Sequence, residues 1–233
     1  MNQQNKERYM RQIALDEVGQ SGQEKLAHSS ALIVGVGGLG SPIATVLCSA
    51  GFKHLILVDS DIVSLSNLPR QTLYTTEDLG LPKVERAALR LRAMNPNVTI
   101  ETHNIRFDHS TAEQLIERCD MIIDGCDNMA TRYVIDHYSK KCGKPYIYGA
   151  IRGFEGQVSV FNYNGKGSYS DLFPASQAAA PQAPPAVMAT TPALIGTIEA
   201  NEALKIAIGY GQTLEGKLLT LDSRNYSFNI FEI

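Results

Sequence analysis

Apolar positions along this chain fall into short unbroken runs, and the stretches between them repeat with helical spacing. The runs predict strands at 31–36, 54–59, 98–103, 121–125 and 145–150. The intervening stretches predict helices at 41–50, 83–94, 111–118 and 129–142. Pro42 fits only a first helical turn, with Ser41 as the candidate N-cap. Asn95-Pro96-Asn97 stops the helix before it. Strands buried on both faces read as continuous apolar runs, so the alternation argues for a parallel sheet with helices on each side.

The pattern changes after Gly149. Residues 156–163 alternate apolar and polar like a half-exposed strand, and Asn164-Gly165-Lys166-Gly167 is a turn. Two late strands are expected at 217–222 and 226–233, extending the sheet in antiparallel fashion, with an amphipathic helix at 197–208 before them. Residues 174–191 are mostly Ala, Pro and Gln, and Pro181, Pro184 and Pro185 exclude regular structure there. A mobile crossover or lid is one reading of that segment, and an inert disordered loop is the other. The resulting organisation is one α/β unit with a Rossmann-like, mostly parallel central sheet. It has a helical arm at 1–30, a core at 31–155 and a sheet extension at 156–233.

Composition narrows the class without naming a chemistry. The 233 residues are 44% hydrophobic and 19% charged, enough for a full core. A formal charge of −3 offers no basic footprint for nucleic acid. The polar N-terminus carries no signal peptide and no run is long enough to span a membrane, so the expectation is a cytoplasmic protein. Cys48, Cys119, Cys126 and Cys142 form no C-x-x-C pair and read as mostly buried thiols.

Candidate chemistry begins with Gly35-Val36-Gly37-Gly38-Leu39-Gly40, which follows the first strand and opens a helix. The second strand ends on Asp59, 19 residues past Gly40. Gly-x-Gly-x-x-Gly in a βαβ setting lets backbone approach phosphate while the carboxylate takes ribose hydroxyls. Gly40 is followed by Ser41-Pro42, so this is no Walker A loop, and the loop alone favours a dinucleotide. The next cluster reverses that preference. Asp61, Ser66, Asn67, Arg70 and Gln71 follow directly, then Gly80-Leu81-Pro82-Lys83. A nicotinamide cofactor needs no cations there, whereas carboxylate attack on a triphosphate must bring two anions together. Arginine and lysine relieve that repulsion. Lys83 opens a helix, where the dipole disfavours a cation, which favours phosphate contact over a solvated role. Asp124, Asp127 and Asn128 follow the fourth strand, where a carboxylate can hold Mg²⁺ or an Asx side chain can cap the next helix. Arg11 by itself reads as an ordinary surface arginine.

These motifs occur in one order. Arg8-Tyr-Met-Arg11-Gln, the glycine loop, Asp59-Ser-Asp61, Ser66-Asn-Leu-Pro-Arg70-Gln71, Gly80-Leu-Pro-Lys83 and Asp124-Gly-Cys-Asp127-Asn128 come first. Gly149-Ala-Ile-Arg-Gly-Phe-Glu-Gly-Gln157 and Ile198-Glu-Ala-Asn-Glu-Ala-Leu-Lys205 follow. The chain resembles, over nearly its whole length, the ThiF/MoeB/HesA family, bacterial relatives of ubiquitin-activating enzymes. The resemblance implies MgATP-dependent adenylation of the C-terminal glycine of a small ubiquitin-like sulfur carrier of ThiS/MoaD type, ending in Gly-Gly. Thiamine or molybdopterin biosynthesis is the implied setting. By the same carry-over, Gly38 lies against the nucleotide, with Gly35, Gly37 and Gly40 shaping the loop. Asp59 takes the ribose with Asp61 beside it. Ser66, Asn67, Arg70, Gln71 and Lys83 face the phosphates. Asp127 binds Mg²⁺ and Asn128 lies next to the nucleotide. Arg11 reaches the γ phosphate of the other subunit of a homodimer.

Two departures from the family pattern stand out. Many relatives hold zinc through a C-x-x-C before Leu-Phe-Pro and a second C-x-x-C near the C-terminus. Here Ser168-Tyr-Ser-Asp171 precedes Leu172-Phe173-Pro174 and no cysteine follows Cys142, so no zinc is expected. The crossover around 182–186 also lacks the cysteine that some relatives bond to the carrier, so sulfur transfer would fall to a separate protein. An NAD-dependent oxidoreductase, a non-catalytic binding member of the fold, and an adenylating enzyme for another carboxylate remain the competing readings.

Overall fold

The computed structural model describes residues 3–175 and 186–233. Two helices, α1 (Gln3–Ile13) and α2 (Gly19–Leu26), precede the first strand, β1 (Ser30–Val34). Then follow α3 (Gly40–Ala50), β2 (His54–Val58), α4 (Lys83–Met94), β3 (Thr99–His103) and α5 (Ala112–Ile116). The core continues with β4 (Met121–Asp124), α6 (Met129–Cys142) and β5 (Tyr146–Arg152). It closes with β6 (Glu155–Phe161), α7 (Tyr169–Leu172), α8 (Thr190–Ile208), β7 (Lys217–Asp222) and β8 (Ser227–Glu232).

The strands form one eight-stranded sheet in the order β3-β2-β1-β4-β5-β6-β7-β8. β3 through β5 are parallel, while β6, β7 and β8 are antiparallel. Alternate residues of β1, β2 and β4 feed two apolar layers. Ile33, Leu57 and Ile123 pack with α3, α4 and α8, whereas Leu32, Ile56 and Ile122 pack with α5 and α6. Strands covered on both faces need apolar side chains at every position, which is why these segments read as unbroken runs. The chain leaves β1 toward β2 on one side, and β4 enters on the other. The crevice of such a sheet opens at that reversal, beyond the carboxyl ends of β1 and β4.

Three expectations shift. The helix after the glycine loop begins at Gly40, not after a capping Ser41. Ser41 lies inside it and donates its hydroxyl to the Gly37 carbonyl at 2.7 Å. The late helix starts at Thr190, seven residues earlier than 197, because Pro192 sits in its first turn, where no N–H donor is required. Nor is that helix simply amphipathic, since its buried positions include Glu199 and Glu202. Residues 176–185 of the alanine- and proline-rich segment lie outside the described residues. No helix among the described residues is long and apolar enough to cross a membrane.

Candidate functional site

The glycine loop is built by backbone packing that admits no side chain. Gly35 has φ +90°, and a Cβ there would meet the Gly125 carbonyl oxygen at 2.6 Å. A Cβ on Gly40 would lie 2.1 Å from the Gly35 oxygen, and one on Gly125 2.2 Å from the same atom. The Gly35 N–H donates to Val58 and the Gly125 N–H to Val34, tying the loop to the strand ends beside it. Gly37 and Gly38 face outward from this knot. A Cβ on Gly37 would touch the Gln71 amide at 3.4 Å, and one on Gly38 would touch Pro192 at 3.3 Å and Arg70 Cδ at 3.8 Å. The 66–71 segment and the start of α8 therefore both lie along the glycine loop. Gln71 is buried beside Gly37 with its amide nitrogen nearest that glycine, and its Oε1 has no hydrogen-bond partner among the described residues.

Ser66 and Asn67 belong to a single 3₁₀ turn, Leu65–Asn67. The Asn67 side chain accepts from the Ser64 N–H at 3.2 Å, and Arg70 donates to the Ser66 carbonyl at 2.8 Å. Asp59 accepts from the Val36 N–H and the Asp61 N–H, both at 2.8 Å, so one carboxylate joins the glycine loop to the end of β2. Burial pushes Asp59 above the ordinary aspartate range, against the pull of Lys83 and those two N–H groups. Tyr74 is buried alongside and donates to the Val36 carbonyl at 2.7 Å. Lys83 Nζ is buried and pairs with Asp61 at 2.8 Å. The fold thus brings Lys83 to the Asp59–Asp61 corner, where sequence reasoning had paired it with phosphate alone.

At the end of β4, Asp124 is fully buried while Asp127 and Asn128 are exposed. Asn128 caps α6 by accepting from the Thr131 N–H at 2.9 Å. Among the described residues, the Asp127 carboxylate has no hydrogen bond or ion pair. Its place just beyond the carboxyl end of β4 suits a metal carried in on phosphate oxygens, for which one or two protein carboxylates suffice.

Arg11 is not brought to this site within one chain. Its helix packs at the far ends of α3 and α4. Gln12 donates to Ala50, Tyr9 lies against Gly51, and Arg8 donates to Met94. The glycine loop enters the opposite end of α3, whose 11 residues span about 16 Å. Sequence reasoning missed Pro192, Tyr74, Arg132 and Glu199. Arg132 carried a signal, because a cation near the start of α6 opposes the helix dipole just as Lys83 does in α4.

The model of the ThiF family matches residues 9–233. The chain belongs to the ThiF family. It is 39% identical over 232 residues to the sulfur carrier protein adenylyltransferase of Thermus thermophilus, covering 95% of this chain and 85% of that relative. It is 37% identical to the SAMP-activating enzyme E1 of Haloferax volcanii, covering 95% and 83% respectively. A probable molybdopterin-synthase adenylyltransferase of Porphyra purpurea is 40% identical, but the chain spans only 60% of that relative's length. Among solved structures, PaaA superposes with a TM-score of 0.85 at 27% identity, covering 100% of this chain and 75% of that one. E. coli MccB superposes with a TM-score of 0.86 at 20% identity, covering 97% and 72%, a likeness of fold alone. These ThiF-family matches agree with the mostly parallel sheet and its antiparallel C-terminal strands.

Proposed function

We propose that this protein adenylates the C-terminal carboxylate of a ubiquitin-like sulfur-carrier protein, using MgATP and releasing pyrophosphate. Supply of a thiamine or molybdopterin pathway is the setting this reading favours. The observation that carries it is the laying of Arg70 and Gln71 along Gly38 and Gly37. A cation and an amide placed along that loop would offset the charge of a triphosphate, a larger charge than a dinucleotide's pyrophosphate carries.

In the reaction, a carboxylate oxygen of the carrier attacks the α phosphorus, and the bond from that phosphorus to the bridging oxygen breaks. The electron pair leaves on pyrophosphate. No general base is needed, because a carboxylate is already ionised at neutral pH. Catalysis is therefore positioning plus charge stabilisation. Gly37, Gly38 and the N-terminus of α3 would cradle phosphate, and Asp59 would take the ribose. Ser66, Asn67, Arg70 and Lys83 would neutralise the triphosphate. Asp127 would hold Mg²⁺, which would supply positive charge to offset the phosphate oxygens, and Asn128 would lie beside the nucleotide.

Arg11 would act in a homodimer, reaching the site of the other copy. A helix length between Arg11 and its own glycine loop supports that assignment. The carrier would dock on the antiparallel extension, where Arg152, Gln157, Thr220 and Asn229 line a cleft of about 420 Å³. β8 adds an exposed edge with Phe228, Ile230 and Phe231. A zinc-free fold is part of the same reading. Ser168 and Asp171, at the positions of the relatives' first cysteine pair, are already spent on each other, the Ser168 hydroxyl donating to Asp171 at 2.7 Å.

Carrier-dependent ATP–pyrophosphate exchange tests the proposal. Exchange should appear with a small Gly-Gly-ended carrier and vanish in Asp127→Ala and in Arg11→Ala. Mixing the two variants should restore one working site per mixed dimer. NAD binding without exchange would reverse the reading in favour of an oxidoreductase, and mixing that restores nothing would remove the trans role of Arg11.

A further inference from the structure

Parallel strands β4 and β5 pair at Ile122–Tyr146 and Ile123–Ile147, and the ladder goes no further. Arg132 fills the gap beyond. Its guanidinium rises from α6 and is almost wholly buried. Nε donates to Asp124 at 2.8 Å, while Nη2 donates to the carbonyls of Cys126 and Gly149, each at 3.0 Å. The same Asp124 carboxylate accepts from the Tyr146 hydroxyl at 3.0 Å and from the Cys126 N–H at 2.9 Å. Cys126 is therefore gripped through both its N–H and its C=O. Two residues on, the Asn128 side chain is fixed as the cap of α6. Asp127 lies between the Cys126 backbone grip and the Asn128 side-chain cap, and its carboxylate has no partner among the described residues.

A cation in the first turns of a helix is opposed by the dipole, and burying it adds a desolvation cost. One carboxylate would satisfy its charge. Arg132 instead spreads over a carboxylate and two main-chain carbonyls, and both carbonyls belong to backbone at the carboxyl-terminal side of the sheet, after β4 and within β5. Through Gly125, whose backbone touches Gly35, the same grip reaches the glycine loop. Helix stability alone does not account for this arrangement.

We propose that Arg132 is a positioning residue for the nucleotide site, a clamp on three acceptors that fixes the backbone immediately before Asp127 and so aims its carboxylate. This inference rests on the reading of Asp127 as the Mg²⁺ ligand. Lysine keeps the charge beside Asp124 but cannot reach three acceptors from one planar fork. Removing an outer partner of a metal ligand costs about 10- to 100-fold in metal affinity or activity.

The test is a binding cycle that needs no carrier. Affinity for ATP is measured by calorimetry with and without Mg²⁺ in the parent protein, Arg132→Lys, Asp127→Asn and the double variant, with thermal unfolding alongside. Arg132→Lys should fold, bind free ATP within about twofold of the parent, and lose at least about tenfold of the affinity that Mg²⁺ adds. Where the carrier is present, kcat for exchange should fall while KM for the carrier stays put. The double variant should be no worse than Asp127→Asn alone, because a residue acting through Asp127 has nothing left to position. Full additivity, an unchanged Mg²⁺ increment, or a loss that merely tracks the unfolded fraction overturns the clamp. If Arg132→Lys does not fold, the paired Asp124→Asn, Arg132→Gln variant leaves no buried charge unpaired and is read against Asp127→Asn in the same cycle. Absence of exchange in the parent protein would refute the adenylation reading while leaving this binding cycle intact.

Discussion

Replacing Glu199 by glutamine should make the protein more resistant to unfolding as the pH rises. α8 drives Glu199 into the sheet opposite Gly149, and its carboxyl fills the space a side chain there would need. A Cβ on Gly149 would lie 2.2 Å from Glu199 Cδ. The residue is fully buried, and neither carboxyl oxygen has a hydrogen-bond partner among the described residues. Burial pushes its carboxyl well above the ordinary value of 4.5, the Asp124 charge pushes the same way, and Arg132 pulls against both. The folded chain therefore keeps a proton that the unfolded chain releases near 4.5. Stability from this group is fully present below that pH and is lost as the pH climbs from there through the raised folded value. With one proton of difference, the loss is about 1.4 kcal/mol per pH unit. For a domain of this size that moves the unfolding midpoint by about 3–6 °C per unit. Glutamine has the same shape and no proton to lose. Its buried amide carries a cost, but one that does not change with pH. Urea unfolding of both proteins at pH 5, 6 and 7 measures the difference, which cancels every other titrating group. The glutamine variant should gain steadily on the parent across that range. Parallel stability curves would refute the claim that Glu199 is held neutral.

Two further perturbations probe the packing around the site. Gly149→Ala places a methyl on the Glu199 carboxyl and should cost about 1–3 kcal/mol by overpacking. Combining it with Glu199→Ala should recover part of that loss, and additive losses in equilibrium unfolding would disprove the contact. Asp78 is buried under α4, and although burial works the other way, the Thr75 N–H, Arg90 and Arg86 hold its carboxyl well below the ordinary 3.8. Its contribution is present above that value and is lost as the pH falls further. Asp78→Asn should cost about 1.5–3 kcal/mol at pH 7, as for hydrogen bonds to a charged group. That cost should shrink in acid unfolding below pH 4, and a pH-independent cost would show the arginine pairing to be idle.

Local pattern carried most of the sheet into view. β1, β2 and β4 are buried on both faces, so their own composition declares them, and Asn128 stands where a cap must stand. The segment that failed is the start of α8. The expected helix begins at 197, whereas the structure starts it at Thr190, with Pro192 in the one turn that tolerates proline. Arg132 and Glu199 failed for a different reason. A charged residue on a helix reads as solvent-facing unless the tertiary contacts that bury it are known. Asp124 and the Gly149 carbonyl hold Arg132, and the missing side chain of Gly149 makes room for Glu199. The contribution of Gly149 to both is visible only in the folded chain.

Lys83 shows how a sound inference can meet an incomplete set of partners. The dipole argument required an anion near its ammonium, and the fold supplies Asp61. The pair is lopsided. The Lys83 side chain is 5% exposed, while the Asp61 side chain is 68% exposed. An ion pair with one partner largely in water contributes little, because water screens it and the exposed side chain loses freedom by staying. The lysine, by contrast, cannot retreat to solvent. Asp61 can therefore swing away at small cost when a stronger anion arrives, and the buried ammonium stays in place to receive it. On the adenylation reading, Asp61 keeps the site's cation paired in the absence of nucleotide. A triphosphate would then displace a weakly held carboxylate instead of having to order a free lysine.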